Sequence, residues 1–195
     1  MIIGSNIENK EIEKRVAVTP EIVKKYISIG LEVHLTKNYA EHLGFEDSLF
    51  EDAGAKIVND EKELITNSDI LVQLDMLDEN QMSMMKKNQT LIGSLNSHQN
   101  KEKIQNLSPK NINVFSLELL PRITRAQSMD ILSSQANLAG YKAVVDSFAE
   151  FKKAIPMMMT AAGTISAAKV LVIGAGVAGL QAIATAKRMG AIVFA

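Results

Sequence analysis

Three glycines, Gly174, Gly176 and Gly179, are spaced G-x-G-x-x-G inside the run Lys169–Arg188, KVLVIGAGVAGLQAIATAKR. A short apolar stretch, Val170–Ile173, precedes them. An alanine-rich helical pattern follows to Met189, and a second apolar stretch covers Ala191–Ala195. Strand, glycine turn, helix and strand, in that order, are the context that gives the spacing chemical meaning. Gly174 permits a tight turn, Gly176 lets the backbone approach a diphosphate, and Gly179 lets helix and strand pack closely. The unpaired N–H groups and positive dipole end of the helix then face the phosphates. The segment Gly174-Ala175-Gly176-Val177 with Gly179 is therefore the candidate cofactor-binding turn, and the cofactor class is a dinucleotide. The alternative is a glycine turn of a parallel sheet that binds nothing. The acid that holds the adenosine ribose belongs about 20 residues beyond the glycines. That position lies past Ala195, so the turn by itself does not choose between NAD and NADP.

The second chemical stretch is Pro121–Gly140, PRITRAQSMDILSSQANLAG. It gathers Arg122, Arg125, Gln127, Asp130, Ser133, Ser134, Gln135 and Asn137. A loop framed by Arg125 and Asp130 and leading into a helix can reach the nicotinamide end of a dinucleotide. An amide or carboxylate there can hydrogen-bond a carboxamide, and an arginine can hold a carboxylate or phosphate bidentately. The competing reading is that Asp130 or Ser128 caps the helix and the arginines are exposed. Arg15 can anchor a carboxylate or form a surface ion pair. His34, His42 and His98 are scattered without paired carboxylates and read as structural, and Met157-Met158-Met159 reads as core filling. No metal-ligand spacing and no nucleophilic triad can be assembled.

Positioning these residues requires a frame of alternating strands and helices. Thr19-Pro20-Glu21 is a helix start, with Pro20 at the first helical position and Glu21 at the positive end. Gly30 reads as that helix's stop, and Leu31–Leu35 as a strand with Val33 and Leu35 on one face. Further strands are expected at Ala55–Val58, Asp69–Leu74, Thr90–Leu95 and Asn111–Leu117. Helices are expected from Asp60 to Asn67, over Asp78–Lys87 with Met82 and Met85 inward, and from Ser97 or Asn100 to about Leu107. This spacing argues for a parallel sheet with crossover helices. Met129–Ala154 is a long helical pattern, and Met157–Thr164 reads as an extended linker. The expected fold class is α/β: two Rossmann-like parallel-sheet domains joined by a long helix, the second truncated after its first βαβ unit. The expected domains are residues 1–127, flavodoxin- or Rossmann-like; a connecting helix over 128–156; and the start of an NAD(H)-binding Rossmann domain over 157–195.

Composition narrows the function classes. The 195 residues carry 21 Lys and Arg against 22 Asp and Glu, a net charge of −1, with no Trp and no Cys. Interspersed charge gives no attraction to nucleic acid. The missing cysteines exclude a disulfide framework, a thiolate nucleophile and Cys-ligated metal. No signal peptide or bilayer-spanning run is legible, so the chain is expected to be soluble, without direct membrane insertion.

Three blocks resemble one family: RVAVTPE at Arg15–Glu21, PRITRAQSMDILSSQANLAGYKAV at Pro121–Val144, and MMMTAAGTISAAKVLVIGAGVAGLQAIATAKRMGA at Met157–Ala191. They resemble the N-terminal half of the NAD(H)-binding component of proton-translocating NAD(P) transhydrogenases, in the alanine dehydrogenase/transhydrogenase superfamily. The resemblance implies NAD(H) on this chain and NADP(H) on a partner component. It implies direct Si-specific/Re-specific hydride transfer between them, coupled to proton passage through membrane-spanning components. It further implies a homodimer at the cytoplasmic side of the inner membrane. The family's Arg-Gln-Asp loop falls on Arg122, Gln127 and Asp130, and Ser133 also matches. Ser166-Ala167 stand where the family often has prolines. Two other readings compete. One is an alanine dehydrogenase-like enzyme, whose active-site lysine would fall at Gln73 and histidine at Ser94. The other is an inactive dinucleotide-binding fragment.

Overall fold

A computed structural model describes all residues, Met1–Ala195. The chain divides into two compact units, Met1–Pro121 and Arg122–Ala195. The division falls ahead of the expected boundary after residue 127.

The first unit holds a parallel sheet of β1 (Ile2–Ser5), β2 (Glu32–Thr36), β3 (Lys56–Val58), β4 (Ile70–Gln73), β5 (Thr90–Gly93) and β6 (Asn113–Ser116). Their order is β3-β2-β1-β4-β5-β6, with every neighbouring pair parallel. The crossovers contain α1 (Pro20–Ser28), α2 (Asp47–Asp52), α3 (Glu61–Asn67), α4 (Glu79–Met84) and α5 (Lys101–Gln105). The order reverses between β1 and β4, the place where open α/β sheets leave a crevice at the strand ends.

Local chemistry explains the element starts. Pro20 opens α1 at its first position, although the Thr19 side chain makes no capping hydrogen bond. Asp60 caps α3 by accepting the Lys62 N–H. Asp78 and Gln81 form a reciprocal capping box on α4. Val33 and Leu35 are buried together with Val18, Val23, Tyr39 and Phe50 around one half of the sheet. Leu64, Leu71, Leu91 and the inward Met82 and Met85 form the core of the other half.

The second unit contains α6 (Ile131–Glu150), an antiparallel hairpin of β7 (Met158–Thr160) and β8 (Gly163–Ile165), and a parallel pair. The pair is β9 (Lys169–Leu171) and β10 (Ile192–Phe194), joined by α7 (Val177–Arg188). This is the βαβ unit expected around the glycines. The long helix lies wholly within this unit.

Two expectations are corrected here. Met157–Thr164 is not a linker: Met158 pairs with Ile165 and Thr160 with Gly163 around Ala161-Ala162. Threonine, methionine and isoleucine flanking a two-residue turn, without proline, suffice to make a hairpin. The methionine triplet is not core filling either, because Met157, Met158 and Met159 are 60%, 48% and 73% exposed. Both strands of the hairpin face solvent along their length.

Candidate functional site

The site is built where β9 turns into α7. Gly174 has φ +98°, a left-handed conformation that only glycine adopts without strain. A Cβ on Gly179 would lie 1.9 Å from the Gly174 carbonyl oxygen, so the helix can close onto the turn only with glycine there. Gly176 differs: a Cβ added to it meets nothing within 4 Å. Gly176 is the N-cap of α7 and supplies no side-chain hydrogen bond to the first turn. The first N–H groups of a 12-residue helix are therefore bare beside open space, which suits an anion.

That space is a cavity of about 390 Å³, lined among others by Gly174, Gly176, Val177 and Gly179 on one side and by Arg122 and Ser133 on the other. A slightly larger hollow of about 400 Å³ lies along α6 and β9. Its walls, such as Val144, Phe148 and Leu171, are mostly apolar, with Ser147 and Lys169 as the polar side chains, and it has no helix-start amides.

At the start of α6, Asp130 accepts the Ser133 N–H at 2.9 Å and the Ser133 hydroxyl at 2.6 Å. These two bonds, chiefly the hydroxyl, hold its carboxyl below the usual range, with a smaller pull from the Arg122 charge. Asp130 is thus the N-cap of α6, as the residues alone allowed. The cap also fixes where its oxygens point, and each retains a lone pair for a ligand.

The structure brings together Arg122, Ser133, Gly174, Gly176, Val177 and Gly179, with Asp130 tied to them through Ser133. Ala175 is exposed in the turn and Gln127 is exposed in the 3-10 turn Thr124–Met129, both outside the cavity lining. Sequence reasoning missed Ala136 and Ala178, which also line the cavity. Their signal was only that both are small.

Two family descriptions match this chain. The alanine dehydrogenase/PNT N-terminal domain covers residues 4–139, and the C-terminal domain covers 143–195. The chain belongs to the alanine dehydrogenase/PNT family. Among its relatives, the first portion of the divided NAD(P) transhydrogenase subunit alpha of Rhodospirillum rubrum is 45% identical over 193 residues, which is 96% of this chain and 50% of that protein. NAD(P) transhydrogenase subunit alpha of Haemophilus influenzae is 42% identical, covering 99% of this chain and 37% of that protein. The chain thus spans about half the length, or less, of the curated relatives it matches. The solved transhydrogenase from Sinorhizobium meliloti superposes with TM-score 0.92 at 42% identity, over 99% of this chain and 57% of that one. An L-alanine dehydrogenase shares the fold with TM-score 0.81 at 24% identity, over 98% and 53%.

Within this family the first unit's strand ends are informative. Gln73 is buried at the end of β4, and its Oε1 accepts the Asn6 N–H at 2.7 Å. It stitches β4 to β1 and is no base. Arg15 is held by Glu13 through Nε–Oε1 at 2.8 Å and a second nitrogen at 2.5 Å, a self-contained ion pair. The Tyr39 hydroxyl bonds Ser5 Oγ at 2.8 Å and accepts the Ala17 and Val18 N–H groups at 3.1 Å each. Burial pushes that phenol up to about 12. His42 meets the Lys14 carbonyl at 2.8 Å, a structural contact as its isolation suggested. No cluster of three metal-binding side chains occurs, and no helix is long and apolar enough to cross a membrane.

Proposed function

We propose that this chain is the NAD(H)-binding part of a proton-translocating NAD(P) transhydrogenase. The observation that carries the reading is one cavity with bare helix-start amides on one wall and Arg122 and Ser133 on the other. The glycine-turn amides hold the diphosphate. Arg122, Gln127 and Asp130, with Ser133, orient the ring end, Gln127 reaching it from the Thr124–Met129 turn, and Ala175 belongs to the glycine turn that holds the diphosphate. NAD(H), when bound, supplies the hydride; the protein supplies position and exclusion of water, so no side-chain acid or base is required.

The hydride acceptor is NADP⁺ on a separate component, which leaves NAD⁺ on this chain and NADPH on the partner, and further membrane-spanning components carry the proton. A second copy of the chain completes a homodimer, peripheral to the cytoplasmic face of the inner membrane. The engaged Gln73 argues against the alanine dehydrogenase-like alternative.

Reduction of NADP⁺ by NADH, measured with the NADP(H)-binding component added, tests the proposal. Transfer that is slowed about tenfold by Asp130→Asn, the size of one charge-assisted hydrogen bond, supports it. Transfer indifferent to Asp130, or alanine-dependent reduction of NAD⁺, overturns it.

A further inference from the structure

We infer that Gly140, in the middle of α6, is a positioning residue for the dinucleotide cavity; this rests on the reading given under Proposed function. A glycine in a helix interior destabilises that helix relative to alanine, so its presence calls for a compensating contact. The contact is with α7. Gly140 is buried, and a Cβ on it would lie 2.1 Å from the Ala178 carbonyl oxygen. It would also lie 2.9 Å and 3.0 Å from the Ala178 carbonyl carbon and Cα. All three atoms are backbone, so no rotamer change relieves the clash.

Ala178 is the second residue of α7 and lines the cavity beside Gly176, Val177 and Gly179. On α6, Ser133, Ala136 and Gly140 follow the i, i+3, i+7 spacing of one helical face, and Ser133 and Ala136 line the same cavity. Gly140 is thus the backbone-to-backbone contact that sets the distance between the Asp130–Ser133 end of α6 and the bare amides of α7. Any side chain there must displace α6 by roughly 1 Å, a misplacement that costs about a hundredfold where reacting groups must meet and less where a ligand is only bound.

The experiment compares NADH with ADP-ribose, which keeps the diphosphate and lacks the nicotinamide, by calorimetric titration of the full chain. In Gly140→Ala the preference for NADH over ADP-ribose is expected to fall about tenfold toward unity, with ADP-ribose affinity held within about twofold. Val144→Ala, which trims a buried side chain one turn further along α6, is expected to lower the melting temperature and leave the preference unchanged. An unchanged preference in Gly140→Ala overturns the inference, as does loss of its cooperative melt or an equal fall in Val144→Ala. Those results make Gly140 a packing residue only. A wild-type chain that binds neither ligand overturns instead the reading of the cavity itself.

Discussion

At the ends of β1 and β4 the strand-to-loop turns are filled by the protein's own side chains. Gln73 takes the Asn6 N–H, Tyr39 takes two more backbone N–H groups, and Glu8 takes the Leu74 N–H at 2.6 Å. At the end of β9 the equivalent turn has no side chain to offer, and its helix start is uncapped. Both are parallel-strand ends, and topology alone would nominate the first, since the sheet order reverses there. The first end is not perfectly satisfied, since the buried Asn6 Oδ1 has no partner, but its backbone N–H groups are taken up; a strand end becomes a binding site when a run of backbone N–H groups is left open to solvent.

Filling the open turn is the largest expected perturbation. Gly176→Val places its Cβ where no protein atom lies within 4 Å, at an ordinary φ of −73°, so little disturbance of the fold is expected. NADH affinity is expected to drop about a hundredfold, near 2.7 kcal/mol, with little change in melting temperature. Retained binding would make the open turn irrelevant.

Emptying the filled end comes next. Tyr39→Phe strips the acceptor from the Ala17 and Val18 N–H groups, Val18 being fully buried. A loss of about 2 kcal/mol in denaturant unfolding is expected, with NADH affinity unchanged. A loss of NADH affinity without a loss of stability would reverse the assignment of the two regions.

Asp130→Asn separates cap from ligand contact, because asparagine caps a helix as well as aspartate. Stability is expected to hold while NADH binds about tenfold more weakly, read by calorimetry. Equal affinity would leave Asp130 as a cap alone.

The smallest effect sharpens the description of the filled end. Burial raises the Glu8 carboxyl to about 6 from 4.5, against the opposing Leu74 and Asp75 N–H bonds. The folded chain therefore binds more protons than the unfolded chain between these values, so this group's penalty is full above pH 6 and gone below 4.5. As pH falls through that window, wild type should gain stability relative to Glu8→Gln by about 1 kcal/mol, half of the roughly 2 kcal/mol that a rise from 4.5 to about 6 would give without solvent screening. Parallel stability curves would remove Glu8 from the filled end.

Much of this was legible from short-range signals. Pro20 at the start of α1, Asp60 at the N-cap of α3 and the three glycines around the start of α7 all act within a few residues of themselves. The cap on α6 was legible too, because Asp130 and Ser133 are three residues apart. What was hidden depends on distant partners. Gln73 and Asn6 are 67 residues apart in sequence. Gly140 looks like a weak helix residue until the Ala178 carbonyl is seen against it. The exposed methionines of the hairpin were misread because hydrophobicity alone cannot distinguish a core from a bare surface.

The most direct measurement is a backbone amide NMR titration of the full chain with NADH. Shifts are predicted at Gly174, Gly176, Val177 and Gly179 together with Arg122, Asp130 and Ser133, and none at Asn6, Glu8 or Gln73. Shifts confined to the first unit's strand ends, or to only one wall of the second unit's cavity, would contradict a dinucleotide held between the glycine turn and the start of α6.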